Sequence, residues 1–231
     1  MSTFLQIIVK VARESGTVSS VPSTAQSQTG RILKVVNWVN DAWEEIQNGR
    51  ANWRWMRKEF SNDLSTNTFK YTAASFNLTD FSRWVDDPLS VTMYDKTTGV
   101  SDEGELVGIS WEEWRIKYGR GTQDANRPTE WCVTAANEFA VGTKPDAATT
   151  GYVVRGEYYA GNQTLSADSD TPNMPARFHD AIVFLALMKL YAADEAQEQF
   201  VRIVPRYNDL RQMLERDQLP RMTISPTATL A

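Results

Sequence analysis

Residues 30–49 read GRILKVVNWVNDAWEEIQNG. The apolar positions recur at a heptad-like spacing that predicts an amphipathic helix, and Asn48 with Gly49 predicts where the helix ends. These apolar residues are Ile32, Val35, Val36, Val39, Trp43 and Ile46. The charged residues lie mostly off this stripe, so one face of the helix requires a partner against which to bury its side chains.

The segments on either side of this helix differ in character. A short helix is predicted over residues 3–14, whose apolar residues form one stripe, and Gly16 predicts its end. Residues 15–29 consist largely of Ser, Thr, Gln, Gly and Pro, a composition that favours a loop. Residues 53–57 read WRWMR and change toward a period of two, so the chain is predicted to enter a strand there.

Helical periodicity returns after Pro175, which suits a first helical turn because its missing N–H would be unpaired there in any case. The stripe of the next helix consists of Phe178, Ile182, Leu185, Leu187, Met188 and Tyr191. A second C-terminal helix is predicted over residues 194–217. Pro205 lies inside it and is expected to kink or break it, because proline removes one helical hydrogen bond.

Residues 58–174 follow a different pattern. Short runs rich in β-branched and aromatic residues alternate with polar turns, which indicates β-strands. The runs cover residues 68–72, 89–94, 106–109, 130–135 and 152–159. One helical interruption begins at Ser110, which forms a capping-box pattern with Glu113. We interpret this block as a small antiparallel β domain.

The order of helices, β block and helices predicts an α+β fold. The helices at the two ends of the chain must bury their apolar stripes, and they can do so by packing against each other. We therefore predict a discontinuous helical bundle made of residues 1–57 and 175–217, with the β domain 58–174 inserted between them. Residues 218–231 are polar, contain proline and are predicted to form an extended tail without a core of its own.

Composition narrows the classes of function. The 231 residues carry 24 basic and 29 acidic side chains, a net charge of −5, which argues against a dedicated binder of duplex DNA. The predicted insertion alone has 10 basic and 18 acidic residues. The single cysteine and single histidine exclude an internal disulfide and a metal site built from several such residues. No apolar run reaches the ~20 residues that span a bilayer, so we expect synthesis in the cytoplasm.

The residues that could carry chemistry favour structural roles. His179 is adjacent to Asp180, but neighbouring helical residues point to different faces, so we expect a packed or capping histidine. Cys132 lies in an apolar run and is predicted to be a buried, inert thiol. The run Asp168-Ser169-Asp170 resembles part of a calcium loop but lacks its glycine and closing glutamate. We therefore predict no catalytic, cofactor-binding or metal site and no enzymatic activity.

Eight tryptophans leave a second class of function open. Trp43 shares the apolar stripe of its helix and is expected in the core, whereas Trp38 either widens the core or faces a partner. Exposed tryptophans stack on sugars or anchor subunit interfaces. A carbohydrate-binding or glycan-processing module that uses Trp111 and Trp114 is therefore the alternative.

Several segments of the chain resemble tailed-bacteriophage head-to-tail adaptor proteins, also called tail tubular protein A or gatekeeper proteins. The matching segments are TFLQ at 3–6, QTG at 28–30, VNWVNDAWEEIQ at 36–47, WRWMR at 53–57, HDAI at 179–182, YAA at 191–193 and LERDQLP at 214–220. The resemblance covers the helical segments at both ends of the chain. The β block is similar to the family in its short strands and one small helix more than in its individual residues. Pro205 departs from the uninterrupted last helix that the resemblance implies.

The resemblance implies a structural component of the virion, with the bacterial host cytoplasm as the place of synthesis. Such adaptors form a ring, expected to be dodecameric, that docks beneath the portal protein, helps to retain packaged DNA and offers an attachment surface to the tail nozzle. DNA would pass through the lumen without sequence-specific binding. The C-terminal tail would contact the portal, where we expect its apolar residues to be buried. The expected contact residues are Leu219, Arg221, Met222, Ile224 and Leu230. Another virion part, such as a tail terminator, is a further alternative.

Overall fold

The computed structural model describes residues 1–16, 20–87, 89–146 and 151–220. They form two compact units, one made of residues 1–56 and those from 162 onward, the other of residues 57–161. The helices are α1 (Phe4–Ser15), α2 (Gly30–Asn48), α3 (Trp111–Lys117), α4 (Asp180–Ala193) and α5 (Gln197–Gln218). The strands are β1 (Arg57–Leu64), β2 (Lys70–Tyr71), β3 (Phe81–Trp84), β4 (Thr92–Asp95), β5 (Gly104–Glu105), β6 (Val107–Gly108), β7 (Glu130–Val133), β8 (Phe139–Val141) and β9 (Tyr152–Ala160). The predicted α+β fold is confirmed.

Helix α4 is the centre of the helical unit, where it packs against α1, α2 and α5. The sequence predicts one apolar stripe on this helix, but side chains on almost every side of it are buried, including the consecutive residues 181–183 and 185–187. A helix that is apolar all round is stable in water only when neighbours cover it on all sides. Ion pairs at its two ends, Lys10–Asp180 at 2.7 Å and Lys189–Glu45 at 2.6 Å, connect it to α1 and α2.

Residues 162–174, which the sequence analysis assigns to the β block, belong to the helical unit. The backbone carbonyls of Asp170 and Asp168 accept hydrogen bonds from the N–H groups of Phe4 (2.7 Å) and Leu5 (3.3 Å), the first two residues of α1. The Asp168 carboxylate also accepts one from the N–H of Ala25 at 2.6 Å. Because helix N-termini leave N–H groups unpaired, this segment completes the start of α1.

The β unit consists of two sheets. Strand β9 is central to the first, in the order β1-β9-β4-β5 with β3 also on β9, and the second has the order β2-β8-β7-β6. All eight residues of β1 pair with β9, from Arg57 opposite Tyr159 to Leu64 opposite Tyr152. Among the named strands the pairing is antiparallel except between β6 and β7, which run parallel, so the predicted antiparallel character holds for most of the described unit.

One apolar core joins the two sheets. It contains Phe60 of β1, Trp84 of β3, Trp131 of β7 and Phe139 of β8, whose rings approach one another at centroid distances of 5.2 to 6.0 Å. Aromatic pairs at such distances contribute beyond the apolar area that they bury. Gly156 of β9 lies under the Phe60 ring, since a Cβ there would be 2.8 Å from a ring carbon.

Helix α5 continues through Pro205 as one helix of 22 residues, so of the predicted kink or break at this proline the break is wrong. Tertiary contacts along its buried face, made by Ile203, Tyr207 and Leu214, hold the helix on both sides of the proline. The proline itself is exposed, which leaves the carbonyl of Val201 open to water. Helix α5 is the uninterrupted last helix that the family resemblance implies.

Candidate assembly surfaces

The end of α5 is the part of the predicted partner-contact segment that the structure describes. Helix α5 ends at Gln218, so the predicted tail begins within its last turn. Leu219 is half-buried, and its N–H donates to the carbonyl of Glu215 at 3.0 Å. The other predicted contact residues, Arg221, Met222, Ile224 and Leu230, lie outside the described residues.

The end of α5 is held in place by charged side chains. The Glu215 carboxylate lies 3.1 Å from both Arg50, which follows α2, and Arg211, one turn earlier on α5. Asp217 pairs with Arg177, and this hydrogen bond holds the pKa of the Asp217 carboxyl below its ordinary value of 3.8. Each exposed pair contributes little alone, but together they connect the last turn to two other segments. The position of the last turn of α5 is therefore fixed within the helical unit.

An exposed apolar surface lies beside this point. Met213 of α5 is 56% exposed and lines a shallow groove with Phe178 and Arg216. A large apolar side chain with a charged rim is typical of a contact surface. The sequence placed the expected partner contact in the tail alone, and the exposed Met213 lies on α5 near the start of that tail.

A second groove lies between α4 and α5 and reaches the end of α1. Its floor is formed by Phe184, Tyr191 and Ile203, and its rim by Arg202 and Arg206 with Gln199 and Glu14. Within the described residues, neither guanidinium forms an ion pair or hydrogen bond. The sequence analysis missed this site. Its only signal was the spacing of the two arginines, because residues four apart lie on one face of a helix.

The β unit carries an acidic loop between β3 and β4. Asp86, Asp87 and Leu89 are exposed, the leucine by 68%, and the Leu89 N–H donates to the Asp87 carboxylate at 3.2 Å. The Arg57 guanidinium forms its ion pair with Glu157, and this hydrogen bond is the largest cause of its raised pKa. Asp87 contributes to the same shift to a smaller extent. In the described part of the chain neither aspartate forms an ion pair, so the loop presents two carboxylates beside an exposed leucine.

His179 is a structural residue, as the sequence predicts. It is 1% exposed and occupies the cap position before α4. Its Nδ1 accepts a hydrogen bond from the Ser2 N–H, and its Nε2 lies 3.2 Å from the carbonyl of Met174, which fits the tautomer with hydrogen on Nε2. Both ring nitrogens are therefore occupied by backbone groups, and His179 is not placed to act as a general base.

The cysteine and the calcium-like run also have structural explanations. Burial raises the pKa of the Cys132 thiol to about 12, which confirms the prediction of a buried thiol and makes it a poor nucleophile at neutral pH. Asp170 accepts hydrogen bonds from the N–H groups of Ser166 and Ala167, and these lower the pKa of its carboxyl. Among the described residues, no three His, Cys, Asp or Glu side chains are grouped so that they could hold a metal ion.

The tryptophans lie mostly in the cores. Trp43 is buried, as predicted, and Trp38 is half-buried with the Arg31 guanidinium 5.2 Å above its ring. Trp114 is 3% exposed and donates from Nε1 to the carbonyl of Val141 at 2.7 Å. Trp111 stacks on Trp114 at 5.2 Å. Since sugar binding requires an exposed ring face, Trp114 does not offer the stacking platform that the carbohydrate alternative assigns to it.

A family model described as SU10 adaptor protein matches residues 2–228, which includes both compact units and most of the predicted tail. No curated protein matches the chain. Every helix in the described residues is too short or too polar to cross a membrane.

Proposed function

The chain belongs to the SU10 adaptor protein family, and from this membership we propose that it is a structural subunit of a phage head-to-tail junction. In this proposal the subunits form a dodecameric ring that docks beneath the portal protein and offers its opposite face to the tail nozzle or tail tube. The protein would act by holding these parts together and by helping to retain packaged DNA, without catalysis or a cofactor.

The extent of the family match carries the proposal. It runs from residue 2 to residue 228 and therefore includes α1, the whole β unit and the C-terminal helices. Most of the segments that resemble head-to-tail adaptors lie in α1, α2, α4 and α5, which are the helices that pack together in one unit, and the segments 28–30 and 53–57 flank α2. The similarity thus follows a complete structural unit and not an isolated motif.

The portal contact is proposed for the C-terminal tail. The end of α5 is held by Arg50 and Arg177, so the tail would leave from a defined position. Met213, exposed beside this position, would extend the contact. The apolar residues Met222, Ile224 and Leu230 would become buried against the portal together with Leu219, and Arg221 would pair with an acidic group there.

Charge supports passage of DNA without binding. The helical unit has 13 basic and 13 acidic residues and the β unit has 11 and 16, so the net charge of −5 belongs to the β unit. A chain with this balance lacks the excess of Lys and Arg that neutralises phosphates. A ring of such subunits would repel duplex DNA weakly, which suits a lumen through which DNA must move.

A truncation and a matched variant test the portal contact. Removal of residues 221–231 leaves every described contact in place, so we expect unchanged thermal unfolding and loss of binding to purified portal rings. A full-length variant with M222S, I224S and L230S keeps the length and charge of the tail and should lose most of the affinity as well. Unchanged portal affinity in both variants would refute the role of the tail.

The location of the protein tests the function itself. Mass spectrometry and electron microscopy of purified particles should find the protein as a ring between the portal and the tail. Absence from the particle, or a position away from the junction between portal and tail, would refute the adaptor role. We expect the isolated protein to be monomeric at modest concentration, with ring assembly driven by the portal, which light scattering can check.

A further inference from the structure

The groove between α4 and α5 combines an apolar floor with unpaired positive charge. Phe184 and Tyr191 of α4 are half-buried beside Ile203 of α5. Arg202 and Arg206 stand at its rim together with Glu14, and among the described residues no carboxylate lies within ion-pair distance of either arginine. Because they are four residues apart on a helix, their Cβ atoms lie about 5–6 Å apart. Such a site suits a ligand with two neighbouring carboxylates and one apolar side chain.

We propose that this groove binds the loop of Asp86, Asp87 and Leu89 from a second copy of the chain. The two aspartates are adjacent in sequence and both are exposed, so the loop presents two negative charges to the arginine pair. Leu89 would lie on the apolar floor. This inference rests on the proposed function, since it assigns one of the contacts between neighbouring subunits of the ring.

Other segments of the chain match the groove less well. The tail carries one charge, that of Arg221, which has the same sign as the groove. The acids of α3 are accompanied by cations, since Glu113 pairs with Lys117 at 2.8 Å and the exposed Arg115 lies between them. The loop at Asp86 combines unpaired acids with an exposed leucine, and charge complementarity therefore favours it.

The contact has the symmetry that a ring requires. The groove belongs to the helical unit and the loop to the β unit, so each copy uses one surface to bind the next copy and a different surface to be bound. Such heterologous contacts generate closed rings when the rotation between subunits closes. A subunit with either surface blocked would still bind one neighbour but could not continue the ring.

Disulfide trapping tests the contact directly. Proteins carrying L89C and Q199C, which place one thiol in the loop and one at the rim of the groove, are mixed at high concentration and oxidised. We expect a cross-linked dimer of the two chains, because oxidation accumulates even transient contacts. The native Cys132 is buried and contributes little background. The matched control is L89C with Q212C, an exposed position about three and a half turns further along α5.

Charge exchange gives the second arm of the test. Adding R202E and R206E to the Q199C protein should lower the cross-link yield about tenfold or more, as expected for close charge pairs at protein interfaces. Adding D86K and D87K to the L89C protein should then restore the yield. All four side chains are exposed, so unchanged thermal unfolding is expected to show that each variant is folded.

The proposal is overturned if the cross-link yield with Q199C is no higher than the yield with Q212C. It is also overturned if the yield with Q199C is high but is not changed by either charge reversal. These outcomes are separate from those of the portal experiment. A protein that binds the portal through its tail but fails to cross-link keeps its proposed function and loses this interface. A protein absent from the particle that still cross-links keeps the interface and loses the function.

Discussion

The helical unit and the β unit reach their structures by different routes. The helical unit joins the two ends of the chain, and α1, α2 and α5 each have a periodic apolar pattern that is visible within a single segment. The β unit is the continuous segment 57–161, and its first sheet depends on β9, the last strand of the unit to appear in the sequence. Helical order is therefore local before packing, whereas the first sheet is built mainly from pairings between strands distant in sequence.

The largest expected effect comes from truncating one core residue in each unit. Phe139 of the β unit and Leu187 of α4 are both fully buried. We expect F139A to lower the free energy of unfolding by about 3–5 kcal/mol and L187A by about 2–5 kcal/mol. Hydrogen exchange followed by mass spectrometry should show faster exchange mainly within the unit that carries the substitution.

The exposed Ile116 provides the control for this pair. It is 66% exposed, so I116A should change the free energy of unfolding by about 0.5 kcal/mol or less. If either core variant accelerates exchange equally in both units, the two units unfold together. They would then differ in how their secondary structure forms but not in their stability.

The central strand is next in expected effect. G156A would place a Cβ 2.8 Å from the ring of Phe60, so we expect a loss of about 1–3 kcal/mol from overpacking. G104A is the matched control, because Gly104 has open space around it and no positive φ. Chemical denaturation measures both variants. Equal stability of the two would mean that the Phe60 ring moves freely, and β9 would then be less constrained than its position indicates.

Pro205 tests how far tertiary packing overrides local preference in the helical unit. Proline inside a helix costs about 3 kcal/mol relative to alanine, and part of this is offset because proline restricts the unfolded chain. We therefore expect P205A to stabilise the protein by about 2 kcal/mol, as measured by denaturant unfolding. A destabilised variant would show that the proline makes contacts that the helix needs.

The smallest effect concerns a helix cap. The Thr3 side chain accepts a hydrogen bond from the Gln6 N–H and completes a capping box, whereas Thr29, at the start of α2, forms no side-chain cap within the described residues. T3A should cost about 1 kcal/mol and T29A close to nothing. Thermal unfolding of the two variants checks this difference. Equal losses would mean that the capping box of α1 adds no stability.

The candidate assembly surfaces could be predicted only in part. The sequence indicated the tail, and the i, i+4 spacing of Arg202 and Arg206 was available in it. The sequence did not show that Phe184 and Tyr191 lie beside these arginines, because that requires α4 and α5 to pack against each other. Likewise, the buried position of Trp114 could not be distinguished from exposure, since tryptophan is common both in cores and at contact surfaces.

The sequence by itself determined the helices and the class of fold. The predicted helices 3–14 and 30–49 correspond to α1 and α2, and 194–217 to α5, because apolar periodicity and end signals belong to each segment alone. It also indicated that helices from the two ends of the chain require one another. These features can be predicted from each segment without knowledge of the segments that pack against it.

Only the tertiary structure decided the extent of β1 and the path of α5. The sequence indicates that the chain enters a strand near residues 53–57, but β1 reads RKEFSNDL, a largely polar run, and it continues to Leu64 because all eight residues pair with β9. Helix α5 passes through Pro205 because contacts on both sides outweigh one lost hydrogen bond. The physical reason is the same in both cases: pairing and burial between segments distant in sequence contribute free energy that the local preferences of either segment do not contain.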